Sequence, residues 1–330
     1  MELTRGLQGR SRETPGTEEN KLNRIIVGHA LAAFTSAVWG LTFVSSKILL
    51  RDFTPFEILF DRFVIGFLAL AVLAGGFHFV KGVRNWFRAA SAGLTGVVLY
   101  FIAENGALEH TAAANVSIIV SSAPFFVAIV NRLFGDHAPL SRSFIAGFFI
   151  SMSGICIISS ESLELEGGMA GNLLALAAAL LWGFYCLSVR RLSDEGFSSG
   201  EITGSVFLCS LAICLPMMPA FGYSAKLPEL AESVNWGNLL FLGVLATSVC
   251  FYAWNLAVRY IGSVSTSVYL YAQPALTAVA AIPLLGERLT LGTDAGIVLT
   301  VAGLAISQRK GRAEEASGAA RPVGKGSEAA

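Results

Sequence analysis

Apolar residues in this chain are gathered into about ten continuous blocks of roughly 20 residues each, separated by short polar connections. A helix of about 20 apolar residues is long enough to cross a hydrocarbon core about 30 Å thick. Spanning strands are excluded, because they need only about 10 residues and alternate between lipid-facing and interior side chains. The pattern therefore predicts an all-α polytopic membrane protein embedded in the lipid bilayer.

Composition agrees with this reading and excludes two other classes. Hydrophobic residues make up 54% of the chain and charged residues only 14%, whereas a soluble domain carries about 25% charged residues. There is too little polar material to cover a soluble globular surface. The formal net charge is zero, so no basic field points to nucleic acid as a partner.

The predicted spans, with ends good to a few residues, are 27–50, 55–76, 87–108, 112–133, 142–160, 170–190, 200–221, 236–258, 264–285 and 291–307. Because the connections are short, sequential helices are expected to be antiparallel neighbours, and no connection is long enough for a soluble domain. The two tails, 1–24 and 309–330, are rich in Gly, Ala, Glu and Arg and are predicted to be disordered.

The basic residues predict the orientation, since Lys and Arg are retained on the cytoplasmic side of a membrane. If the N-terminus is inside, eighteen Lys and Arg fall on the inside, and only Arg51, Lys226 and Arg288 fall outside. Both termini are therefore predicted to be cytoplasmic, in a plasma membrane. The polar, acid-containing first 24 residues do not resemble a signal peptide, so the first helix is expected to remain in the mature protein.

A long-period repeat divides the chain into two halves. The stretch 101–124, FIAENGALEHTAAANVSIIVSSAP, returns as 251–274, FYAWNLAVRYIGSVSTSVYLYAQP, with six identities in 24 ungapped positions. The identities include Asn105 with Asn255 and Pro124 with Pro274. Such a repeat must be recognised first, because it determines the architecture.

Further matches extend the repeat over the predicted spans. Trp39-Gly40 is matched by Trp182-Gly183, and Gly154 is matched by Gly303. With five helices per half, the second half enters the membrane from the opposite side. We therefore predict ten transmembrane helices as two inverted-topology five-helix repeats, 27–160 and 170–307, an architecture that lets one site face either side. A duplication that only records gene history is the alternative.

Four ionisable residues lie within predicted spans: Lys47, Asp61, Arg62 and Glu104. Each costs about 2.5 kcal/mol or more at a helix centre and is a functional candidate by default. The predicted topology places all four at similar depth in the outer half of the membrane. They are either a charged substrate site or outer gate, with Asp61 or Glu104 able to take a coupling proton, or a permanent ion-pair cluster. Lys47 can also snorkel to the interface.

The matched polar and proline positions are the next candidates. Amide side chains at Asn105, Asn255 and Gln273 suit a zwitterionic or hydroxylated ligand, and equally suit bonding between helices. Mid-span Pro124 and Pro274 each free a backbone carbonyl and are predicted to kink their helices.

Aromatic side chains are predicted to complete the walls of the site. These are Trp182, Tyr185 and Tyr271.

Motifs for other chemistry are missing from the sequence. The five cysteines all lie within apolar blocks without metal-ligand spacing, and the four histidines are dispersed. Gly324-Lys325 lacks the strand–loop–helix context of a P-loop. We therefore expect no metal and no cofactor, and transport would draw on an ion or substrate gradient.

The residues quoted above resemble a known family. Trp39-Gly40 with Phe43 and Lys47, Pro55 with Arg62-Phe63, and Pro124 followed by Gly135-Asp136 resemble EamA-type permeases of the drug/metabolite transporter superfamily. The second half repeats the pattern as Trp182-Gly183, Trp254, Pro274 and Gly286-Glu287-Arg288-Leu289. The resemblance covers about residues 30–308. Asp136-His137 departs from it, because the family usually has Glu-Arg there.

The resemblance implies ten helices in two inverted repeats and secondary transport of small metabolites, often export of amino acids or related compounds. The sequence therefore predicts a secondary active transporter. Its candidate substrate-binding or gating residues are the ten side chains named above, and Pro124 and Pro274 are the candidate kink positions. Two rivals are an intramembrane or lipid-acting enzyme using Asp61 and Glu104, and a membrane receptor. Whether the protein is a monomer or a homodimer stays open.

Overall fold

The computed structural model describes residues 15–135, 141–161, 168–287 and 290–307, and within them every regular element is a helix. Seven helical segments are long and apolar enough to cross a membrane: Leu22–Leu49, Val83–His110, Ala113–Phe134, Gly168–Asp194, Ser199–Met217, Ser233–Ile261 and Ser263–Leu285. Two shorter apolar helices, Arg142–Ile157 and Leu291–Gly303, accompany them. The all-α membrane class is confirmed, and the count of ten spans stays a prediction.

The first half of the chain contains α1 (Pro15–Leu49), α2 (Pro55–Leu73), α3 (Val83–Gly93), a π-helix (Leu94–Leu99), α4 (Tyr100–His110), α5 (Ala113–Val120), α6 (Ala123–Phe134) and α7 (Arg142–Glu161). Helix α1 begins at Pro15, within the tail 1–24 that the sequence predicts to be disordered. Proline is tolerated in the first turn of a helix, and a polar helix can project from the bilayer. Positions 1–14, 136–140 and 308–330 lie outside the described residues.

The second half contains α8 (Gly168–Asp194), α9 (Ser199–Met217), the short α10 (Leu227–Leu230), α11 (Ser233–Leu240), a π-helix (Phe241–Val249), α12 (Cys250–Ile261), α13 (Ser263–Ser267), a 3₁₀ segment (Val268–Ala272), α14 (Gln273–Leu285) and α15 (Leu291–Ser307). Both halves thus place a π-helix inside their third apolar block. π-Helices are rare and mark functional sites often.

Both halves also break their fourth apolar block at a proline. In the first half, α5 ends and α6 restarts with Pro124 in its first turn. The Ser121 and Ser122 hydroxyls donate to the carbonyls of Ile118 and Ile119 at this break, at 2.6 and 2.7 Å. In the second half, the 3₁₀ segment separates α13 from α14, and Pro274 lies in the first turn of α14. The predicted kinks are thus helix breaks, since proline lacks the N–H that a continuous helix needs.

The last helices of the two halves, α7 and α15, pack directly against each other. A Cβ at Gly154 would lie 2.6 Å from the carbonyl oxygen of Gly296, and one at Gly303 would lie 2.5 Å from that of Gly147. Helices in lipid approach this closely only where small residues face each other. The glycines matched in the repeat therefore serve helix packing.

The first helix of each half packs mainly against the other half. Helix α1 contacts α12 and α14, while α8 contacts α3, α4 and α6. This exchange brings the matched Trp39 and Trp182 together at the centre, with ring centroids 5.3 Å apart in an edge-on arrangement. Trp39 also lies 5.0 Å from Trp254, and its indole N–H donates to the carbonyl of Ala246 in the second π-helix at 2.9 Å.

The two ends of the helix bundle are named after a basic residue at each, Lys47 and Arg190. The Lys47 end carries the connections 50–54, 111–112 and 218–232. The Arg190 end carries the connections 74–82 and 195–198. The sequence predicts that the Lys47 end faces outside.

Candidate functional site

A small cavity, which we call the central cavity, lies between the two halves of the chain, with walls from both. Its walls come from α1, α2, α4, both broken helices, α8 and α12, and the lining residues are Trp39, Thr42, Phe43, Arg62, Tyr100, Phe101, Glu104, Val120, Ala123, Trp182, Phe251, Leu270 and Gln273. The space open to water molecules is about 20 Å³, which is room for about one water. A metabolite requires the walls to move apart.

The helix irregularities bring polar groups to this cavity. The first π-helix ends directly before Tyr100 and Phe101, and Glu104 follows one turn later. Ala123 and Gln273 each open the second part of a broken helix. Breaks of this kind line cavities in membrane proteins, because irregular backbone is tolerated only away from lipid.

Among the described residues, Arg62 on α2 is the one basic side chain in the cavity wall, and it is only 1% exposed. Its Nε donates to the Thr247 hydroxyl at 3.0 Å, and its guanidinium carbon lies 4.3 Å from the centre of the Phe101 ring. These contacts fix the orientation of the side chain, since a cation over an aromatic face is attracted to it. Its Nη1 has no hydrogen-bond partner.

Glu104 on α4 supplies the opposite charge and is 2% exposed. Tyr100 lines the cavity one turn before it, and among the described residues Oε1 of Glu104 has no hydrogen-bond partner. Arg62 attracts Glu104 but forms no ion pair with it within 4.0 Å in the described part of the chain. The cavity thus holds two buried opposite charges that do not neutralise each other by direct contact.

Two neutral groups in the cavity wall are also without partners. These are the indole N–H of Trp182 and the side-chain oxygen Oε1 of Gln273. A buried polar atom without a hydrogen bond costs about 1–3 kcal/mol, more when it is charged. Two donors and two acceptors are therefore available to a ligand.

The structure does not bring the four charged residues into one cluster: Arg62 and Glu104 line the central cavity, and Asp61 and Lys47 lie elsewhere. Asp61 is half-buried and accepts a hydrogen bond from Tyr223 at 2.8 Å, in the connection between α9 and α10. It is next to Arg62 but points elsewhere, because successive residues on a helix are about 100° apart. Burial and the Asp61 carboxylate raise the pKa of Tyr223, so its hydroxyl stays a donor. Asp61 and Glu104 therefore do not form the acid pair that the rival hypothesis of an enzyme requires.

Lys47 lies at the end of the bundle instead of in the central cavity. Its ammonium donates to the carbonyl of Thr111 and is attracted by Glu287. These residues line a second, open cavity of about 740 Å³ at the Lys47 end, together with Arg51, Glu109 and His110. We call this cavity the vestibule.

The matched asparagines have different surroundings, and neither lines the central cavity. Asn255 is fully bonded, since it accepts from the Tyr185 hydroxyl at 2.8 Å and donates to the Thr203 hydroxyl at 2.9 Å. It joins α12 to α8 and α9. Asn105 donates to the carbonyl of Pro55 at 3.2 Å and joins α4 to α2. These amides bond helices to one another.

Of the ten predicted side chains, the structure thus brings Arg62, Glu104, Trp182 and Gln273 together at the central cavity. Tyr185 is turned toward Asn255, and Tyr271 is half-buried outside the cavity wall. The positions Asp136, His137, Arg288 and Leu289 of the family motifs lie outside the described residues.

Several residues of the cavity wall were missed by sequence reasoning. Thr42 and Tyr100 lie within apolar spans and carry no charge, so nothing in their sequence positions marks them, whereas Phe251 could have been found as the repeat partner of Phe101. Trp39 could have been found, because it is the repeat partner of Trp182. No group of three or more His, Cys, Asp or Glu side chains able to hold a metal is found among the described residues.

Comparisons with known proteins cover nearly the whole chain. The model of the EamA-like transporter family matches residues 26–160 and 169–308. An uncharacterized transporter from Archaeoglobus fulgidus is 27% identical over 290 residues, which is 86% of this chain and 97% of that protein. A probable terminal-alkyne amino-acid exporter from Streptantibioticus cattleyicolor is 25% identical over 291 residues, covering 86% of this chain and 94% of the exporter. The transporter YdfC from Bacillus subtilis, also uncharacterized, is 24% identical and covers 88% and 92%.

A solved crystal structure has the same fold. It superposes with a TM-score of 0.62 at 18% identity, and the match covers 87% of this chain and 99% of that one.

Proposed function

Because the chain belongs to the EamA-like transporter family and is therefore a multi-pass membrane transporter and not an enzyme, we propose that it is a secondary active transporter. Its substrate is a small polar organic metabolite, an amino acid or a related compound, and it exports this substrate across the plasma membrane. The proposal rests most on one observation. The central cavity holds Arg62 and Glu104, oppositely charged, buried and not in direct contact with each other.

A zwitterionic substrate would satisfy these charges. A carboxylate can accept from the free Nη1 of Arg62, and an ammonium can donate to Oε1 of Glu104. Guanidinium and carboxylate pair well because charge-assisted hydrogen bonds are about twice as strong as neutral ones. Aromatic rings on both sides of the cavity, among them Trp39 and Phe251, would contact an apolar part of the substrate.

The proposed mechanism is alternating access by two inverted five-helix repeats, 27–160 and 170–307, with ten spans and both termini in the cytoplasm. The matched π-helices and the matched breaks at Pro124 and Pro274 support this architecture. The small volume of the cavity supports a cycle through a closed state.

A coupling proton is the proposed energy source, and Glu104 is its proposed site, because it is the acid that lines the cavity. Export of an amino acid or a related compound is supported by the name of the relative from Streptantibioticus cattleyicolor. That name concerns the relative, and the substrate proposed for this chain is supported by its own cavity residues.

Solute counterflow in proteoliposomes made with the purified protein tests the proposal. Vesicles are loaded with one unlabelled compound and exposed to its radiolabelled form, and the panel contains amino acids, the matching amines without a carboxylate, and the matching acids without an ammonium. We expect the zwitterions to accumulate faster than in protein-free vesicles, and an imposed pH gradient to change the rate. If no compound of the panel exchanges faster than in protein-free vesicles, the transporter assignment to small polar metabolites is refuted.

A further inference from the structure

The start of helix α5 has no side-chain cap of its own. Its N-cap residue is Ala112, with extended backbone and no side-chain hydrogen bond to the helix. Ser, Thr, Asp and Asn are preferred at this position, because their side chains accept from the exposed N–H groups of the first turn. The first N–H groups of α5 therefore need a partner from elsewhere in the chain.

Glu287, from the other half of the protein, supplies that partner. Its two carboxylate oxygens accept from the backbone N–H groups of Ala113, at 2.8 Å, and of Ala114, at 3.3 Å. A carboxylate is especially favourable here, because the N-terminus of a helix carries a partial positive charge. We call this contact the Glu287 latch.

The preceding glycine positions Glu287 for the contact. Helix α14 ends at Leu285, and Gly286 has a φ of 69°, in the left-handed region. The N–H of Gly286 bonds to the carbonyl of Ile282, and the N–H of Glu287 bonds to that of Ala281. The bond from the Gly286 N–H to the carbonyl four residues earlier is the αL form of a helix C-terminus, in which glycine is the usual residue at the left-handed position. The Gly-Glu pair thus ends one helix and caps another.

Lys47 adds a third element, helix α1, to the contact between Glu287 and the start of α5. It lies near the end of α1, its ammonium donates to the carbonyl of Thr111, and it is attracted by Glu287. The elements joined here also carry walls of the central cavity: α1 through Phe43, the broken helix of α5 and α6 through Ala123, and α14 through Gln273. An opening of the cavity between these elements would separate the contacts of Lys47 and Glu287.

We infer that the Glu287 latch is the closing contact of the transport cycle at the Lys47 end, broken when the central cavity opens to the vestibule. This rests on the proposed alternating-access function. The latch suits a reversible contact, since it joins two N–H groups and one carboxylate that water can solvate as soon as they part. The vestibule beside it supplies that water.

Accessibility of a cysteine in the cavity tests the latch without any substrate. The reporter is Thr42→Cys, which lines the cavity and is 5% exposed in the native protein. A membrane-impermeant maleimide is added to sealed vesicles of each orientation, and the labelling rate is measured against protein that keeps Thr42. In a Glu287→Gln background, we expect labelling from the Lys47 end to rise about tenfold, the effect of losing one charge-assisted hydrogen bond. Labelling from the Arg190 end should not rise.

The matched control is Glu109→Gln. Glu109 is exposed in the same vestibule, so its replacement removes the same charge without touching the α5 N-terminus. An equal rise in this variant, or no rise with Glu287→Gln, would overturn the inference.

A second variant keeps Glu287 and gives α5 its own cap. Ala112→Ser offers a hydroxyl to the first turn and competes with Glu287 for the Ala114 N–H. We expect labelling from the Lys47 end to rise in this variant as well, by a smaller factor. If Glu287→Gln does not fold, this variant decides: a rise supports the latch, and an unchanged rate refutes it. Continued counterflow beside unchanged labelling would refute the latch alone and leave the transport function standing.

Discussion

Replacing Glu104 by Gln should remove the preference for substrates with an ammonium group. The change keeps the length of the side chain and one side-chain oxygen, and it removes the negative charge from the cavity. A zwitterion would still reach Arg62 through its carboxylate. Its ammonium would lose the anionic partner that Oε1 of Glu104 offers.

The size of the effect follows from the surroundings of the carboxylate. Glu104 is 2% exposed, so its bond to an ammonium is shielded from water. A hydrogen bond to a charged group is worth about 1.5–3 kcal/mol. At about 1.4 kcal/mol per factor of ten in affinity, the apparent affinity for a zwitterion should fall about 10- to 150-fold. The affinity for the matching acid without an ammonium should change little, since that acid never used the carboxylate.

Counterflow with the two labelled compounds measures this difference in one preparation. The ratio of their apparent affinities is the readout, because a general loss of active protein changes both equally. Asp61→Asn is the matched control: it also removes one carboxylate from the same region, but its side chain bonds to Tyr223 and not to the cavity. We expect this variant to keep the native ratio.

Thermal unfolding in detergent separates binding from stability. A buried carboxylate without an ion-pair partner at close range costs folding energy, so its neutral replacement should not lower the unfolding temperature. The reasoning is refuted if Glu104→Gln leaves the affinity ratio unchanged, or if the variant unfolds well below the native temperature. The second result would show that Glu104 holds the helices together.

Three further predictions concern the scaffold and are read by thermal unfolding. Asn255→Ala should cost about 1–3 kcal/mol, because it leaves the buried Tyr185 hydroxyl without its acceptor, while the Thr203 hydroxyl keeps its bond to the carbonyl of Ser199; partial retention of counterflow would agree with the place of Asn255 outside the cavity. Gly303→Ala should destabilise the α7–α15 contact by about 1–3 kcal/mol, since its methyl group meets backbone 2.5 Å away, and an unchanged unfolding temperature would contradict the packing. Glu195 pairs with Arg88 at 2.7 Å, and this pairing lowers the pKa of Glu195. The stabilisation from the pair is fully present above the unfolded-state pKa of Glu. It is lost as the pH falls through the lowered pKa of the folded state. The native protein should therefore melt above Glu195→Gln at pH 7, and the gap should close in acid.

The membrane class and the family were predictable because they depend on patterns along the chain. Block length and apolar content predict helices that cross a bilayer, whatever the helices contact. The repeat was visible for the same reason: Trp39 with Trp182 and Pro124 with Pro274 are matches of residue type and spacing. The missing N–H at Pro124 and Pro274 predicted irregular helices there, because it is a local property of the residue; Pro216 and Pro283 lie inside continuous helices, so a full break also depends on the surroundings.

The π-helices and the latch were not predictable in this way. A π-helix in 94–99 or 241–249 has no residue signature in this chain, since its hydrogen-bonding pattern is set by the packing around it. Glu287 was part of a recognised motif, but its partner is the backbone of Ala113 and Ala114, 174 and 173 residues away. Backbone groups are the same at every position, so sequence alone cannot identify which of them is left without a cap.

The sequence by itself determined that this protein is a helical membrane transporter with a duplicated scaffold, and it picked out the residues that cost most to bury. Tertiary structure decided which of those residues act together. Arg62 and Asp61 are neighbours in the chain, yet one enters the central cavity and the other bonds to Tyr223. The physical reason is rotation: a single step along a helix turns a side chain by about 100°, and only the packing of the other helices determines what it then faces.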